Sequence, residues 1–345
     1  MIKTISISTG TIIRVICIFL VLGFLFLIKN VLALFFVAIV MSSAFDPFID
    51  YLQKKKFPRA LSIIGVYIIF LTLVGGAFYL LSGPIVDQIR DMSRDFPQHY
   101  QKINQGLANI GRMDLNDNQT MTNGLSFITT NLSKATTGIF SFLISLFGGL
   151  ISFFIILVIT FYLVVEEDGM KRFIRSLTPT EHRPYISQLI NKMQLKMGHW
   201  LRGQLLLSVI IFFMVFIVLS IFGVKYALIL ALTAGIFEII PYLGPLISAI
   251  PAVFFAFSQS PSKALLVVVL YFIIQRVEND IIVPKVLGKS IGLNPLVVIL
   301  ALLIGARVGG VIGALLAVPV VTALSVYFED LVSSRRNKET KLEAN

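Results

Sequence analysis

Glu238 stands in one of the most apolar stretches of the chain, and three residues later that stretch is cut by Pro241-Tyr242-Leu243-Gly244-Pro245, which no regular helix carries. A carboxylate in hydrocarbon costs several kcal/mol unless it faces a cavity or a partner, and broken helices persist at that depth only where they line such a cavity. A carboxylate beside a helix break therefore reads as a transport site. A second group, Gln275, Glu278, Asn279 and Asp280, falls in the second half of a later apolar run, with positions 275, 278 and 279 on one helix face. Two chemistries are open to these residues. The amides and the broken backbone can hydrogen-bond a neutral, hydroxyl-rich solute, whereas Glu238, Glu278 and Asp280 can exchange a cation for a proton. A purely structural reading competes with both: Arg276 and Asp280, four apart, neutralise one another, and Glu278 lies at the membrane interface.

The elements that must position these groups are membrane helices. Of the 345 residues 57% are hydrophobic and 14% charged, and apolar runs such as 12–28 and 141–165 are far too long and continuous for the alternating strands of an outer-membrane barrel. Cys17 is the only cysteine, which excludes disulfides within a chain and zinc-type ligand clusters, so no metal or other cofactor is expected. His99, His182 and His199 are scattered through polar connections, no serine sits in a nucleophile elbow, and no Gly-rich Lys-Ser/Thr loop is present. The chain is therefore read as neither an enzyme nor an ATP-driven pump. A cleaved signal peptide is not expected either, because the first apolar run continues through Lys29-Asn30 into a second at 31–45.

The net charge of +11 follows membrane topology rather than nucleic-acid binding, since Lys and Arg gather in short connections. Lys54, Lys55, Lys56 and Arg59 mark the second connection as cytoplasmic and place the amino terminus inside. A third span at 60–81 then exits to a charge-balanced external segment, 83–140, in which Ile85, Ile89, Met92, Phe96, Tyr100, Ile103 and Leu107 recur at helical spacing. That amphipathic helix lies on the membrane surface or packs on the bundle. The run 141–165 returns to a basic cytoplasmic helical connection, 166–203, and a fifth span occupies 204–222. Segment 226–257 is too long for one span and too short for two, so a re-entrant hairpin fits it best. A run at 264–283 crosses inward to Lys285 and Lys289, and a second long segment, 295–328, is interrupted by Gly305, Gly309, Gly310, Gly313 and Pro319. Arg335, Arg336 and Lys338 place the carboxyl terminus inside.

The two interrupted segments resemble each other. Ile229-Leu230-Ala231-Leu232 leads to Gly235, Gly244 and Pro251, and Ile299-Leu300-Ala301-Leu302 leads to Gly305, Gly313 and Pro319 at similar intervals, entering from opposite faces in this topology. Secondary transporters place such paired segments around a substrate site near the midplane. The expected fold is an all-α polytopic membrane protein of about eight membrane segments. Two of these are interrupted, re-entrant and related as an inverted repeat. The chain divides into three helices at 1–82, an external amphipathic region at 83–140 and a transport core at 141–345.

Several blocks are similar to the signature sequences of the autoinducer-2 exporter family: Leu201-Arg202-Gly203-Gln204-Leu205-Leu206, Gly223-Val224-Lys225-Tyr226-Ala227, Ile240-Pro241-Tyr242-Leu243-Gly244-Pro245 and Gln275-Arg276-Val277-Glu278-Asn279. Pro284-Lys285, Gly292-Leu293-Asn294-Pro295, Gly305-Ala306-Arg307 with Gly310 and Gly313, and Ala317-Val318-Pro319 extend the resemblance. It is dense from 161 to 328 and looser before. The resemblance implies a permease of the bacterial inner (plasma) membrane that moves a small molecule or an ion and contacts membrane lipid. It further implies assembly as a homo-oligomer, with a pentamer as one form, and no nucleic-acid partner. Export of autoinducer-2 is the family's founding activity, and some members resemble sodium or lithium/proton antiporters. Asn294 departs from the histidine of many members, which puts a proton-linked role there in doubt. The candidate pathway residues are thus Glu238, Pro241, Gly244, Pro245, Gln275, Glu278, Asn279, Asp280, Pro284, Asn294, Pro295, Gly305, Arg307, Gly310, Gly313 and Pro319. Three functional readings follow: an exporter of a small polar solute, a cation/proton antiporter, and a membrane scaffold that moves nothing.

Lys/Arg placement makes a direct prediction. With Cys17 removed, Asn118→Cys reacts with an impermeant thiol reagent in intact cells and Lys55→Cys does not; the reverse labelling would overturn the topology.

Overall fold

The computed structural model describes residues 9–111, 138, 141, 150–166, 169–288 and 293–343. Of the expected external region, 112–137 lies outside the described residues, as do Lys289 and Gly292. Every regular element among the described residues is helical. In chain order these are α1 (Thr9–Leu27), α2 (Lys29–Lys54), α3 (Arg59–Gly111), α4 (Leu150–Val165), α5 (Gly169–Leu177), a 3-10 turn (Thr180–His182) and α6 (Arg183–Ile221). There follow α7 (Ala227–Phe237), α8 (Leu243–Gln259), α9 (Pro261–Val277), a π turn (Glu278–Ile282), α10 (Val283–Val286) and α11 (Pro295–Glu343). Among the described residues, five stretches are long and apolar enough to cross a membrane: Gly10–Leu27, Lys29–Lys54, Arg59–Leu81, Thr180–Ile221 and Pro295–Asp330.

Two boundaries differ from the expectation. The third span and the amphipathic helix after it form one helix, α3, which passes through Gly83-Pro84 without interruption. Proline removes one hydrogen bond but does not reverse the chain. Likewise α1 and α2 do not pack side by side as a hairpin. Ile28 separates them: its N–H donates to the Phe24 carbonyl at 3.1 Å, the last bond of α1, its carbonyl accepts from the Leu32 N–H at 3.0 Å, the first bond of α2, and its ψ of 8° lies outside the helical range.

Helix α6 is the axis of the bundle and packs against α2, α5, α7, α9, α10 and α11. Its glycines set the closest approaches. A Cβ on Gly198 would collide with the Ser43 carbonyl of α2, one on Gly203 with the Leu287 side chain, and one on Gly235 of α7 with the Ser208 carbonyl. Small residues at helix crossings allow this close packing where lipid supplies no hydrophobic drive between helices. The same crossing repairs a defect in α2. Pro47 has no N–H for the Ser43 carbonyl, and Arg202 Nη1 instead donates to the Ser43 and Ala44 carbonyls, each at 3.2 Å.

Helices α7 and α8 form a hairpin. Tyr226 at its start and Phe255 near its end stack edge to face, with ring centroids 5.1 Å apart. Its open end lies at the carboxyl end of α6, where Lys263 Nζ donates to the Gly223 carbonyl at 2.9 Å. Helix α11 is also folded on itself. Gly310 has φ 60° and ψ −141°, outside the helical range, and the Gly305 and Gly313 backbones press directly together, which eight intervening residue steps of straight helix forbid. The base of this second hairpin lies at the amino-terminal part of α6, where Lys192 Nζ meets Asp330 and Lys196 Nζ meets Glu329, both at 2.8 Å. The two interrupted segments therefore enter the bundle from opposite ends of α6.

Removing the guanidinium tests the repair of α2. Arg202→Leu leaves the Ser43 carbonyl, which Pro47 cannot serve, unpaired and lowers stability by about 1–3 kcal/mol, read as a reduced Tm in detergent. An unchanged Tm would mean that water serves that carbonyl equally well.

Candidate functional site

The break between α7 and α8 is built from residues that cannot extend a helix. Glu238 ends α7, Pro241 follows, and Tyr242 adopts φ 64° and ψ −42°, a conformation costly for a residue with a Cβ. Gly244 then lets α8 start in contact with the Phe237 carbonyl, a place no other residue fits. The chain reversal leaves the Glu238 carbonyl without a helical donor. Gln204 Nε2, from the buried face of α6, donates to it. Glu238 itself is 2% exposed, and its Oε2 atom is buried with no hydrogen-bond donor.

Opposite this break, α9 loosens into the π turn, which brings Glu278 to face Glu238 within hydrogen-bonding reach. Gln275 Nε2 donates to Glu278 Oε2 at 3.4 Å. The wider turn shifts the register that a regular helix would give, and Arg276 lies over the Phe272 ring, 5.4 Å from its centroid, rather than against Asp280. The expected neutralising pair at 276 and 280 is thus replaced by a cation–π contact, and Glu278 is buried, 5% exposed.

Between the two turns is a cavity of about 370 Å³. Trp200, Gln204 and Leu207 of α6 form one wall, Glu238, Pro241 and Tyr242 another, Glu278 and Asn279 a third. Val283, Leu287 and Gly288 close it beyond the π turn, and Leu293, Val298 and Val318 bring in both arms of the α11 hairpin. The polar side chains of the lining are thus two carboxyl groups and two amides, with the Tyr242 phenol and the Trp200 indole beside them, set among apolar residues.

Of the sequence candidates, Glu238, Pro241, Glu278 and Asn279 line this cavity, Gln275 supports it through Glu278, and Gly244 shapes the break. Pro245 lies in the first turn of α8, where its carbonyl accepts from Ser248 Oγ. Asp280 and Pro284 are exposed and outside the lining. Asn294 Oδ1 accepts from the Leu296 N–H at 2.9 Å and, with Pro295 at the first position, starts α11. Gly305 and Gly313 hold the α11 hairpin together, Gly310 turns it, Arg307 is exposed near its tip, and Pro319 is buried in its second arm. The two interrupted segments share the cavity through Val298 and Val318, not through the glycines, which border a separate apolar groove. Trp200, Leu207, Tyr242, Leu293 and Val318 were not among the candidates, and neither was Gln204. A lone amide at the start of an otherwise apolar run was the available signal for Gln204.

Membrane-length helices, paired hairpins entering from opposite ends and a carboxyl-lined cavity at a helix break define a membrane protein of transporter type. Residues 15–333 match the AI-2E family transporter model, and the chain belongs to this family. It is 30% identical to YrrI of Bacillus subtilis (strain 168), over 88% of this chain and 87% of that protein. It is 29% identical to YueF of the same organism, over 91% and 95%. Neither name specifies a substrate. Similarity also extends to the AI-2 transport protein TqsA of Escherichia coli (strain K12), at 24% identity over 86% of this chain and 84% of that one.

Gln204 ties α6 to the break. Gln204→Leu keeps the volume but leaves the Glu238 carbonyl unpaired, so stability in detergent falls by about 1–3 kcal/mol, and transport falls with it as the break loses its geometry. Retained Tm and flux would show that the amide is dispensable.

Proposed function

We propose that this protein exports a small polar solute, such as the signal autoinducer-2, across the bacterial plasma membrane, through the cavity between the α7–α8 break and the π turn. The observation that carries this reading is the facing pair Glu238 and Glu278 with Gln204, Gln275 and Asn279 around it. These groups offer both donors and acceptors to a hydroxyl-rich furanone, and the apolar remainder fits its small ring. Membership of the family and similarity to TqsA support the substrate class. The opposite entry of the two hairpins supports re-entrant, inverted-repeat-related segments, with both termini cytoplasmic in the charge-based topology.

One observation favours a second reading, sodium(lithium)/proton antiport. Glu238 Oε2 is buried without a donor, and two carboxylates cannot hydrogen-bond each other unless one holds a proton. A site that alternates between that proton and a cation would satisfy both groups. In the first reading the same proton couples export to the ion gradient.

Proteoliposomes separate the readings, with labelled autoinducer-2 in one arm and sodium with a pH dye in the other. Solute flux supports export, cation-dependent pH change alone supports antiport, and no flux in either arm supports a scaffold. Glu238→Gln keeps the volume and most hydrogen bonds but removes the ionisable site, so flux loses its dependence on pH or sodium while assembly survives. Wild-type flux with unchanged ion dependence in this variant would remove Glu238 from the mechanism.

A further inference from the structure

Helix α7 is short and both of its ends are buried, so its terminal backbone groups must be met from other helices. At the carboxyl end the Glu238 carbonyl receives Gln204 Nε2 from α6. The amino end follows Tyr226, which adopts the left-handed conformation at φ 64° and gives the first turn no side-chain hydrogen bond. The first helical bond runs from the Leu230 N–H to the Tyr226 carbonyl at 3.0 Å, which leaves the Ile229 N–H without a helical acceptor. Ile229 is 2% exposed, so water does not serve it. The acceptor comes from a distant part of the chain: Gln88 Oε1 of α3 takes the Ile229 N–H at 3.1 Å.

This bond gives the unbroken course of α3 a use. The membrane-length part of α3 ends at Leu81, yet the helix continues through Gly83-Pro84 to Gly111 and packs on both arms of the α7–α8 hairpin. A chain reversal at Gly83-Pro84 would carry Gln88, about two turns beyond Leu81, away from α7. From Ile229 to Glu238 is only about 14 Å of helix at 1.5 Å per residue. That length contains no proline, and its Gly235 is pressed against the Ser208 carbonyl of α6. With no cause for a kink inside it, α7 moves as one rod, and a shift at its first turn reaches Glu238.

Taking the cavity as the transport site proposed above, we infer that Gln88 is a positioning residue for it: Gln88 anchors the amino end of α7 and so sets where Glu238 stands opposite Glu278. The two glutamines work in opposite senses. Gln88 accepts from the amino end of the helix and Gln204 donates to its carboxyl end, so each complements the partial charge of the terminus it meets. The part of α3 beyond Leu81 is thereby coupled to the helix break, although it lines no part of the cavity.

Two substitutions separate the acceptor from the shape of the side chain. Gln88→Met keeps the length but offers only a weak acceptor, whereas Gln88→Glu keeps a strong one at a helix terminus that favours it. If Gln88→Met does not fold, Gln88→Asn, one methylene too short to reach, takes its place. Each is made in the full-length protein carrying Cys17→Ser and a reporter in the cavity wall, Tyr242→Cys. Labelling by a quaternary-ammonium methanethiosulfonate is timed in detergent, where both faces are open to the reagent. The rate is expected to change several-fold in Gln88→Met and to return to the parent value in Gln88→Glu. Without the reporter, the maximal rate of labelled autoinducer-2 flux in proteoliposomes falls on the order of tenfold in Gln88→Met, since a small misplacement from a remote support is enough, and recovers in Gln88→Glu. A parental labelling rate in Gln88→Met, or the same altered rate in both variants, would overturn the inference. If the parent itself carries no flux, the transport reading falls, while the labelling comparison still decides the role of Gln88.

Discussion

A backbone carbonyl or N–H in hydrocarbon has no water to turn to, and this constraint governs how the helical bundle around α6 is assembled. Two departures from regular helix among the described residues meet a specific answer. The carbonyl exposed at Glu238 receives the Gln204 amide, and the Ser43 carbonyl that Pro47 leaves without an N–H receives the Arg202 guanidinium. Both donors come from α6, less than one helical turn apart in sequence. One helix thus stabilises the proline site in α2 and the break between α7 and α8 together. Disturbing α6 near 202–204 therefore acts on the wall of the cavity and on the packing of α2 at once.

The second device is glycine. In both hairpins the chain returns at a distance only a hydrogen side chain allows: Gly244 lies on the Phe237 carbonyl, and Gly305 and Gly313 lie on each other. The resulting turns are compact enough to sit inside the bundle, and their tips come from opposite ends of α6. What remains between them is a cavity in which two carboxyl groups are brought face to face. Opposed carboxyl groups in an apolar wall are costly to maintain for structure alone, which is the physical reason to place function there.

The α11 hairpin has two faces with different tasks. Val298 and Val318 turn inward to the cavity, while Leu300, Ile304 and Val308 border the apolar groove. The ion pairs Lys192–Asp330 and Lys196–Glu329 tie the base of the same hairpin to α6, so its two arms are held at the base and exposed towards the tip.

Membrane class, the two interrupted segments and the place of Glu238 beside a helix break were legible in the sequence, because burial in lipid leaves long apolar runs and makes each proline, glycine cluster and carboxylate within them conspicuous. The family was legible too, from short blocks of ordered residues. The π turn was not: Glu278 and Asp280 look equivalent on a regular helix, and only the packed structure decides that Glu278 faces Glu238 while Asp280 is exposed. Nor did Gly83-Pro84 reveal that helix continues through it, since the packing of neighbouring turns overrides local propensity there. The part played by Gln204 depends on a partner 34 positions away, and the cavity walls at Trp200, Val298 and Val318 come from helices far apart in the chain. Hydrophobicity acts residue by residue and is written in the sequence, whereas pairing of buried polar groups requires two surfaces to meet, and that is settled only by the tertiary structure.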